Sequence, residues 1–165
     1  MSDTKQMAEE NLIVKMRSGS HLYGTNTKNS DEDYTGVFLP DEDYVFGFLK
    51  VDEVDLGKKD KDESGKNTKD AIDFKAYEVR KFIKLAMDNN PNILELLFVN
   101  QENLVYLNNY GEFLLNTKEI FPHKGLYNRF IGYATSQKRK LIGTETERLR
   151  LLKEVNDELH KRKII

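Results

Sequence analysis

Two short motifs, Gly19-Ser20 and Asp31-Glu32-Asp33, hold the side chains best suited to chemistry, with ten residues between them. Side chains alternate between the faces of a strand, so we expect Asp31 and Asp33 on one face and Glu32 on the other. Two carboxylates on one face suit a hard cation such as Mg²⁺ or Mn²⁺. The spacing predicts a divalent-metal site. The alternative is a pair of acids on a solvent-exposed strand edge.

The Gly19-Ser20 pair follows an apolar run, where a strand would give way to a turn or short helix. Free backbone N–H groups and the Ser20 hydroxyl could hold phosphate oxygens there, and glycine lets a phosphate approach the backbone. We therefore predict a nucleotide-phosphate-binding turn at Gly19 and Ser20. An ordinary turn is the alternative.

A divalent-metal site beside a nucleotide-phosphate turn could serve nucleotidyl transfer, which needs a third carboxylate. The attacking hydroxyl must lose its proton while it is held in line with the α-phosphorus. Asp70 and Asp73 are the candidates. If Ile72 and Phe74 face the core together, strand alternation places Asp70 on their side and Asp73 on the opposite one. We predict Asp73, although an aspartate there could also cap the helix that follows.

The elements that must position these residues can be read from apolar spacing. Residues 11–16 predict a buried strand, and residues 31–39 a second strand that Pro40 closes. Residues 70–74 read as extended, and the charged segment 56–69 predicts a mobile loop at the tip of a hairpin.

Five helices are predicted in the second half by apolar spacing and capping residues, at Ala76, Asn90-Pro91, 101–116, 124–140 and a capping box that starts at Thr144. Strands come first and helices later, which predicts an α+β fold rather than repeated βαβ units.

Composition narrows the class of protein. A chain of 165 residues fits one domain, and the absence of cysteine excludes disulfides, cysteine-ligated zinc and a cysteine nucleophile. The N-terminus lacks the order of a secretory signal, and no apolar run approaches the roughly 20 residues of a membrane span. We expect a soluble, cytoplasmic protein without a membrane partner.

Charge is distributed unevenly along the chain. Residues 1–63 hold eight Lys and Arg against fifteen Asp and Glu, whereas residues 118–165 hold twelve against six. An acidic first part suits cation binding, and a basic last part suits a polyanion such as RNA or a triphosphate. The basic residues, including the cluster 138–140, could equally form the solvated face of helices.

Four segments in order carry a resemblance to a known family: Gly19-Ser20-x-x-Tyr23-Gly24, Asn29-Ser30-Asp31-x-Asp33-x-x-Gly36-Val37-Phe38, Asp73 ahead of a helix, and Asn90-Pro91-Asn92-x-x-Glu95-Leu96-Leu97. Over roughly residues 11–142 the chain resembles the DNA polymerase β nucleotidyltransferase superfamily, and within it the predicted nucleotidyltransferases of an RNA-repair pathway.

This resemblance implies a polymerase β-type core, a mixed sheet with helices packed on it, followed by C-terminal helices. It implies two Mg²⁺ (or Mn²⁺) ions held by Asp31, Asp33 and Asp73, and a nucleoside triphosphate whose terminal phosphates contact Gly19 and Ser20. We place the catalytic core in residues 1–100 and a helical extension of the same domain in 101–165. Family members continue with further basic helices, so we expect either a short form or a fragment.

The expected reaction is transfer of a nucleoside monophosphate from a nucleoside triphosphate to an acceptor hydroxyl, with an RNA 3′ end as the first candidate acceptor. Two alternatives stay open: modification of a partner protein, as in antitoxin-like AMPylation, and a nucleotide-binding module without catalysis. We expect His21 and Tyr23 to pack or line the pocket. Asn90, Pro91 and Glu95 are expected to start and pack a helix.

Overall fold

The structure, a computed structural model, describes residues 4–28, 30–61, 65, 68 and 70–161. For residues 142, 144–148, 151–152 and 154–161 it describes the backbone alone. The chain divides after His123 into two compact units. The first unit contains the sheet and the residues predicted to do chemistry, and the second contains a long helix.

Strands and short helices are interspersed through the first unit, and a long helix follows in the second. In chain order the described elements are α1 (Thr4–Glu10), β1 (Leu12–Arg17), α2 (Gly19–Leu22), β2 (Glu32–Phe38), α3 (Glu42–Val45), β3 (Glu53–Asp55), β4 (Ile72–Glu78), α4 (Val79–Met87), α5 (Pro91–Leu97), a 3₁₀ turn (Gln101–Asn103), β5 (Leu104–Leu107), α6 (Asn109–Asn116), a second 3₁₀ turn (Lys118–Ile120) and α7 (Leu126–Lys161).

The five strands form one mixed sheet in the order β3-β4-β2-β1-β5. β2 and β4 run parallel, and the other neighbours pair antiparallel. One face carries a core in which Phe38, Phe74 and Ala76 pack with Met7 and Ala8 of α1. Elsewhere on the sheet α4 contacts β2 and β4, and α6 contacts β1. The predicted α+β class with a polymerase β-type mixed sheet is confirmed.

Most of the predicted boundaries hold near the chemistry. β1 and β2 lie where strands were predicted, and α5 starts at Pro91 with the Asn90 side chain accepting from the Asn92 N–H. The helix predicted from Ala76 is wrong by three residues, since β4 continues to Glu78. Ala76 pairs with two neighbouring strands at once, and this sheet pairing overrides the helical spacing.

The helix predicted over 101–116 is correct only in its second part, because Leu104–Leu107 form the edge strand β5. This strand pairs with β1, a contact between residues about ninety positions apart that local spacing cannot show. β5 therefore adds to the sheet from beyond the boundary predicted after residue 100. The division into a catalytic core and a helical extension stays a prediction.

The two helices predicted at 124–140 and from Thr144 are one continuous helix, α7. A Thr-x-x-Glu sequence can act as a capping box only where the residues before it are not helical. Here the residues before Thr144 are helical, and the helix continues through Gly143 without a break. Among the described residues, no helix combines the length and apolar character that crossing a bilayer requires.

β3 and β4 pair antiparallel on either side of the segment predicted as a hairpin tip. That segment falls partly on residues 62–64, 66–67 and 69, which lie outside the described residues.

Candidate active site

Parallel pairing of β2 with β4 brings the predicted carboxylates together. Asp33 lies directly opposite Asp73 in the register, and Asp31 immediately precedes β2. Asp31, Asp33 and Asp73 each offer a carboxylate oxygen within 4.8 Å of the others. We call these three residues the carboxylate cluster. Oxygen ligands so close together suit one or more hard divalent cations.

The choice between Asp70 and Asp73 is decided by the faces of the sheet. Phe74 is buried in the core that packs against α1, and Ile72 packs against the same core. Asp73 therefore projects from the other face, where it joins the carboxylate cluster. It does not cap the following helix, because α4 begins at Val79 and its cap is Glu78.

Burial and like charge both act on Asp33. Its pKa is raised above the ordinary value for aspartate, first by burial and then by the charges of Asp31 and Asp73. A hydrogen bond from the Ser20 N–H and the nearby His21 partly oppose this rise. A cation bound by the carboxylate cluster would relieve the repulsion, so the donor set fits a divalent metal ion.

The backbone at Gly19 and Ser20, which we call the glycine turn, follows β1 and is held to β2 by hydrogen bonds. The Ser18 N–H donates to the Asp33 carbonyl at 2.9 Å, and the Ser20 N–H donates to the Asp33 side chain. Gly19 has a φ of +59°, and a Cβ added there would lie 2.0 Å from Asp33 Oδ2. The turn and the carboxylate cluster thus form one site, and Asp33 takes the space that glycine leaves open.

A second link between distant parts of the chain was missed from the sequence. The Tyr23 hydroxyl, just after α2, donates to Glu95 Oε2 on α5, 72 residues further on. The sequence predicts that Tyr23 packs or lines the pocket and that Glu95 helps to start and pack a helix. A single sequence contains no signal for such a pair, although both residues belong to the motifs that carry the family resemblance.

His21 contributes a buried polar atom beside the site. Its Nε2 is shielded from solvent and makes no hydrogen bond within the part of the chain that the structure describes. His21 is one of the groups that lower the pKa of Asp33, which places it near the carboxylate cluster. His21 therefore borders the carboxylate cluster, and the expectation that it packs or lines a pocket stays a prediction.

The predicted basic cluster, residues 138–140, lies on α7 in the second unit and is exposed. Asn90 and Pro91 form the start of α5, as predicted.

Comparison with known proteins identifies the family. A model of the RNA repair pathway DNA polymerase beta family matches residues 1–155. The chain is 34% identical over 146 residues to a protein of Enterobacteria phage T4, described as an uncharacterised 38.9 kDa protein in the nrdC-mobD intergenic region. That alignment covers 87% of this chain and 42% of the phage protein, so the chain spans less than half of this relative. No solved structure matches the chain significantly.

Proposed function

The chain belongs to the RNA repair pathway DNA polymerase beta family, and we propose that it is a metal-dependent nucleotidyltransferase. It transfers a nucleoside monophosphate from a nucleoside triphosphate to an acceptor hydroxyl. The new bond joins the acceptor oxygen to the α-phosphorus, the bond from the α-phosphorus to the bridging oxygen breaks, and pyrophosphate leaves.

The observation that carries this proposal is the convergence of three carboxylates beside a glycine turn: Asp33 and Asp73 on two parallel strands, and Asp31 immediately before the first of them. Their oxygens lie within 4.8 Å of one another. A cluster of acids alone would be a weak argument, because exposed acids often gather without a ligand. Here the chain belongs to a family of polymerase β-like proteins. In addition, Asp33 of the cluster is hydrogen-bonded to the turn predicted to hold phosphate.

Each residue has a distinct proposed role. Asp31 and Asp33 would hold two Mg²⁺ or Mn²⁺ ions, and Asp73 would complete the set of ligands. When bound, such ions neutralise the triphosphate and lower the pKa of an attacking hydroxyl. Asp73 would hold the acceptor hydroxyl near the α-phosphorus. The proton of that hydroxyl would pass to the Asp73 carboxylate or to water. Gly19 and Ser20 would hold the β- and γ-phosphates through the Gly19 N–H and the Ser20 hydroxyl.

We propose an RNA 3′ end as the acceptor. Two facts support RNA: the family is described as belonging to an RNA-repair pathway, and residues 118–165 carry a surplus of basic side chains. Phosphate contacts by such residues would make acceptor binding weaken steeply as salt rises.

The test is pyrophosphate release from each of the four nucleoside triphosphates, with Mg²⁺ or Mn²⁺ and a pool of short RNAs. The wild type is compared with an Asp31→Ala/Asp33→Ala variant, and Asp41→Ala/Asp43→Ala serves as a control for loss of two acids elsewhere. We expect release that needs both the metal and the carboxylate cluster.

Pyrophosphate release that needs no RNA, together with a nucleotide-sized mass increase on a protein, would show that the acceptor is a protein hydroxyl and not RNA. Nucleotide binding without release under any condition would contradict the proposed enzyme.

A further inference from the structure

A cleft lies at the opposite end of β4 from the carboxylate cluster. It has a volume of about 380 Å³ and lies between the segment after α3 and the first half of α4. Four cations line it: Lys50, Arg80, Lys81 and Lys84. Asp73 and Glu78 stand five residues apart on β4, which separates the two places by about 17 Å along the strand.

Two phenylalanine rings beside this cleft project into solvent. Phe46 is 86% exposed and Phe48 is 103% exposed. Rings this exposed do not stabilise the fold by burial, and exposed apolar groups can mark a binding surface. Between them, a Cβ at Gly47 would lie 2.4 Å from the carbonyl oxygen of Asp43, so the segment packs closely on α3. The rings are therefore presented by a defined backbone.

The acids of the cleft are already engaged. Glu78 is 3% exposed, accepts from Arg80 Nε at 2.8 Å and caps α4 through the Lys81 N–H. Asp52 pairs with Lys81 Nζ at 3.1 Å. The cleft lining therefore keeps a positive balance, with four cations against two acids.

Helix geometry adds to this positive field. Arg80 and Lys81 lie in the first turn of α4, where the helix dipole is itself positive. Cations there are unfavourable to the helix alone. Glu78 pairs with Arg80 and Asp52 pairs with Lys81, so the charges of Lys50 and Lys84 are the remainder. An anion bound in the cleft would compensate the remainder.

We propose that this aromatic–basic cleft, meaning the cleft cations Lys50, Arg80, Lys81 and Lys84 together with the exposed rings of Phe46 and Phe48 beside it, binds the single-stranded part of an RNA acceptor upstream of its reacting 3′ end. Exposed rings stack on unpaired bases of any sequence, and adjacent cations hold the backbone phosphates. The assignment rests on the proposed function, because it supplies the acceptor-binding surface of that reaction.

Binding can be tested without catalysis, by fluorescence anisotropy of labelled single-stranded RNAs of about 4 to 16 nucleotides. The Asp31→Ala/Asp33→Ala protein is used as the background, so the result does not depend on turnover. We expect Phe46→Ala/Phe48→Ala to weaken binding of the longer RNAs, roughly tenfold for each base that no longer stacks on a ring. Lys50→Ala/Lys84→Ala should reduce the slope of log affinity against log salt by about 0.7 for each RNA phosphate that is no longer neutralised.

The control uses another pair of exposed aromatic residues. Tyr110 and Phe113 are 66% and 71% exposed and line an apolar groove that has no cation among its lining residues. Tyr110→Ala/Phe113→Ala should leave RNA affinity and its salt dependence unchanged. Equal losses of affinity in the two aromatic variants would contradict the assignment.

Two further results would overturn the proposal. One is RNA binding that the Phe46/Phe48 and Lys50/Lys84 variants both leave intact. The other is a change in oligomeric state or in binding to anionic vesicles in those variants, with RNA affinity unaltered. If pyrophosphate release fails in the wild type while RNA still binds through the cleft, the proposed enzyme fails and the cleft assignment stands.

Discussion

The Asp33 carboxylate occupies the space that a side chain at residue 19 would need. A Cβ added to Gly19 would lie 2.0 Å from Asp33 Oδ2, far inside van der Waals contact. The Ser20 N–H donates to the same carboxylate, and the Ser18 N–H donates to the Asp33 carbonyl. The glycine turn therefore sets the position of a metal-ligand candidate.

Gly19→Ala should consequently weaken metal binding at the candidate site. The new methyl group must displace the Asp33 side chain or the turn, so we expect Mn²⁺ affinity to fall roughly 10–100-fold, as for other groups that orient metal ligands. Calorimetric titration of Mn²⁺ into each variant measures the change directly.

Gly24→Ala is the matched control. Gly24 also has a positive φ, +65°, but a Cβ there meets nothing within 4 Å. Both variants share the strain of a left-handed alanine, about 1–2 kcal/mol. If the two variants lose the same metal affinity, the contact between residue 19 and Asp33 has no part in it.

The sequence predicted the cluster because its members obey local rules. Strand alternation placed Asp31 with Asp33, and the apolar neighbours of Asp73 decided its face. That β2 pairs with β4 in parallel is a long-range choice, and only this register puts Asp33 opposite Asp73. The family resemblance implied that Asp73 joins Asp31 and Asp33, but neither it nor the spacing gave this strand pairing.

What the sequence missed depends on contacts between distant residues. β5 is only four residues long and becomes a strand because β1 offers it a free edge. The hydrogen bond between Tyr23 and Glu95, and the aromatic–basic cleft where α4 meets the segment after α3, likewise join segments far apart in the chain. Apolar periodicity carries no information about such pairs.

Asp33→Asn should stabilise the protein in the absence of metal. The charged carboxylate is disfavoured by burial and by two neighbouring acids, which raise its pKa, whereas an amide keeps an oxygen to accept the Ser20 N–H. At neutral pH we expect a melting temperature higher by a few °C, on the scale that a small change in stability produces. Mg²⁺ should stabilise the wild type and leave this variant unchanged.

The pH dependence of that difference has a definite sign. Because the folded-state pKa of Asp33 is raised, the folded protein takes up the proton before the unfolded chain does. The destabilisation is present above the folded-state pKa and is lost as the pH falls through it toward the ordinary aspartate value of 3.8. The stability advantage of Asp33→Asn should therefore shrink in mild acid. An advantage that grows on acidification would contradict the raised pKa.

Tyr23→Phe and Glu95→Gln should both weaken nucleotide binding, if the proposed function holds. The hydrogen bond joins the end of α2, and with it the glycine turn, to α5. A bond to a charged acceptor contributes up to about 1.5–3 kcal/mol, and less when it is exposed, so we expect the KM for the nucleoside triphosphate to rise by roughly tenfold or less. The kcat should change little, and the double variant should be no worse than either single one.

A second tyrosine–glutamate pair provides the control for these variants. Tyr34 donates to Glu32 Oε2 at 2.5 Å, and Tyr34 packs against the core on the face of the sheet opposite the carboxylate cluster. Tyr34→Phe should leave KM unchanged. If Tyr23→Phe lowers thermal stability as Tyr34→Phe does and leaves KM alone, the Tyr23–Glu95 bond supports the fold without positioning the turn.

Gly111→Ala should destabilise the sheet by preventing α6 from packing on β1. A Cβ at this position would lie 2.2 Å from the carbonyl oxygen of Ile13, a backbone atom that cannot move aside as a side chain does. Asn108, the cap of α6, holds the same contact by accepting from the Gly111 N–H and donating to the Leu12 carbonyl. We expect a loss of about 1–3 kcal/mol in the free energy of unfolding, measured by urea titration.

The control is Gly132→Ala in α7, where a Cβ meets nothing within 4 Å. This variant should instead gain up to about 1 kcal/mol in the free energy of unfolding from helix propensity. Opposite signs for two helical glycines would show that close approach to β1, rather than any general preference of helices, keeps residue 111 a glycine.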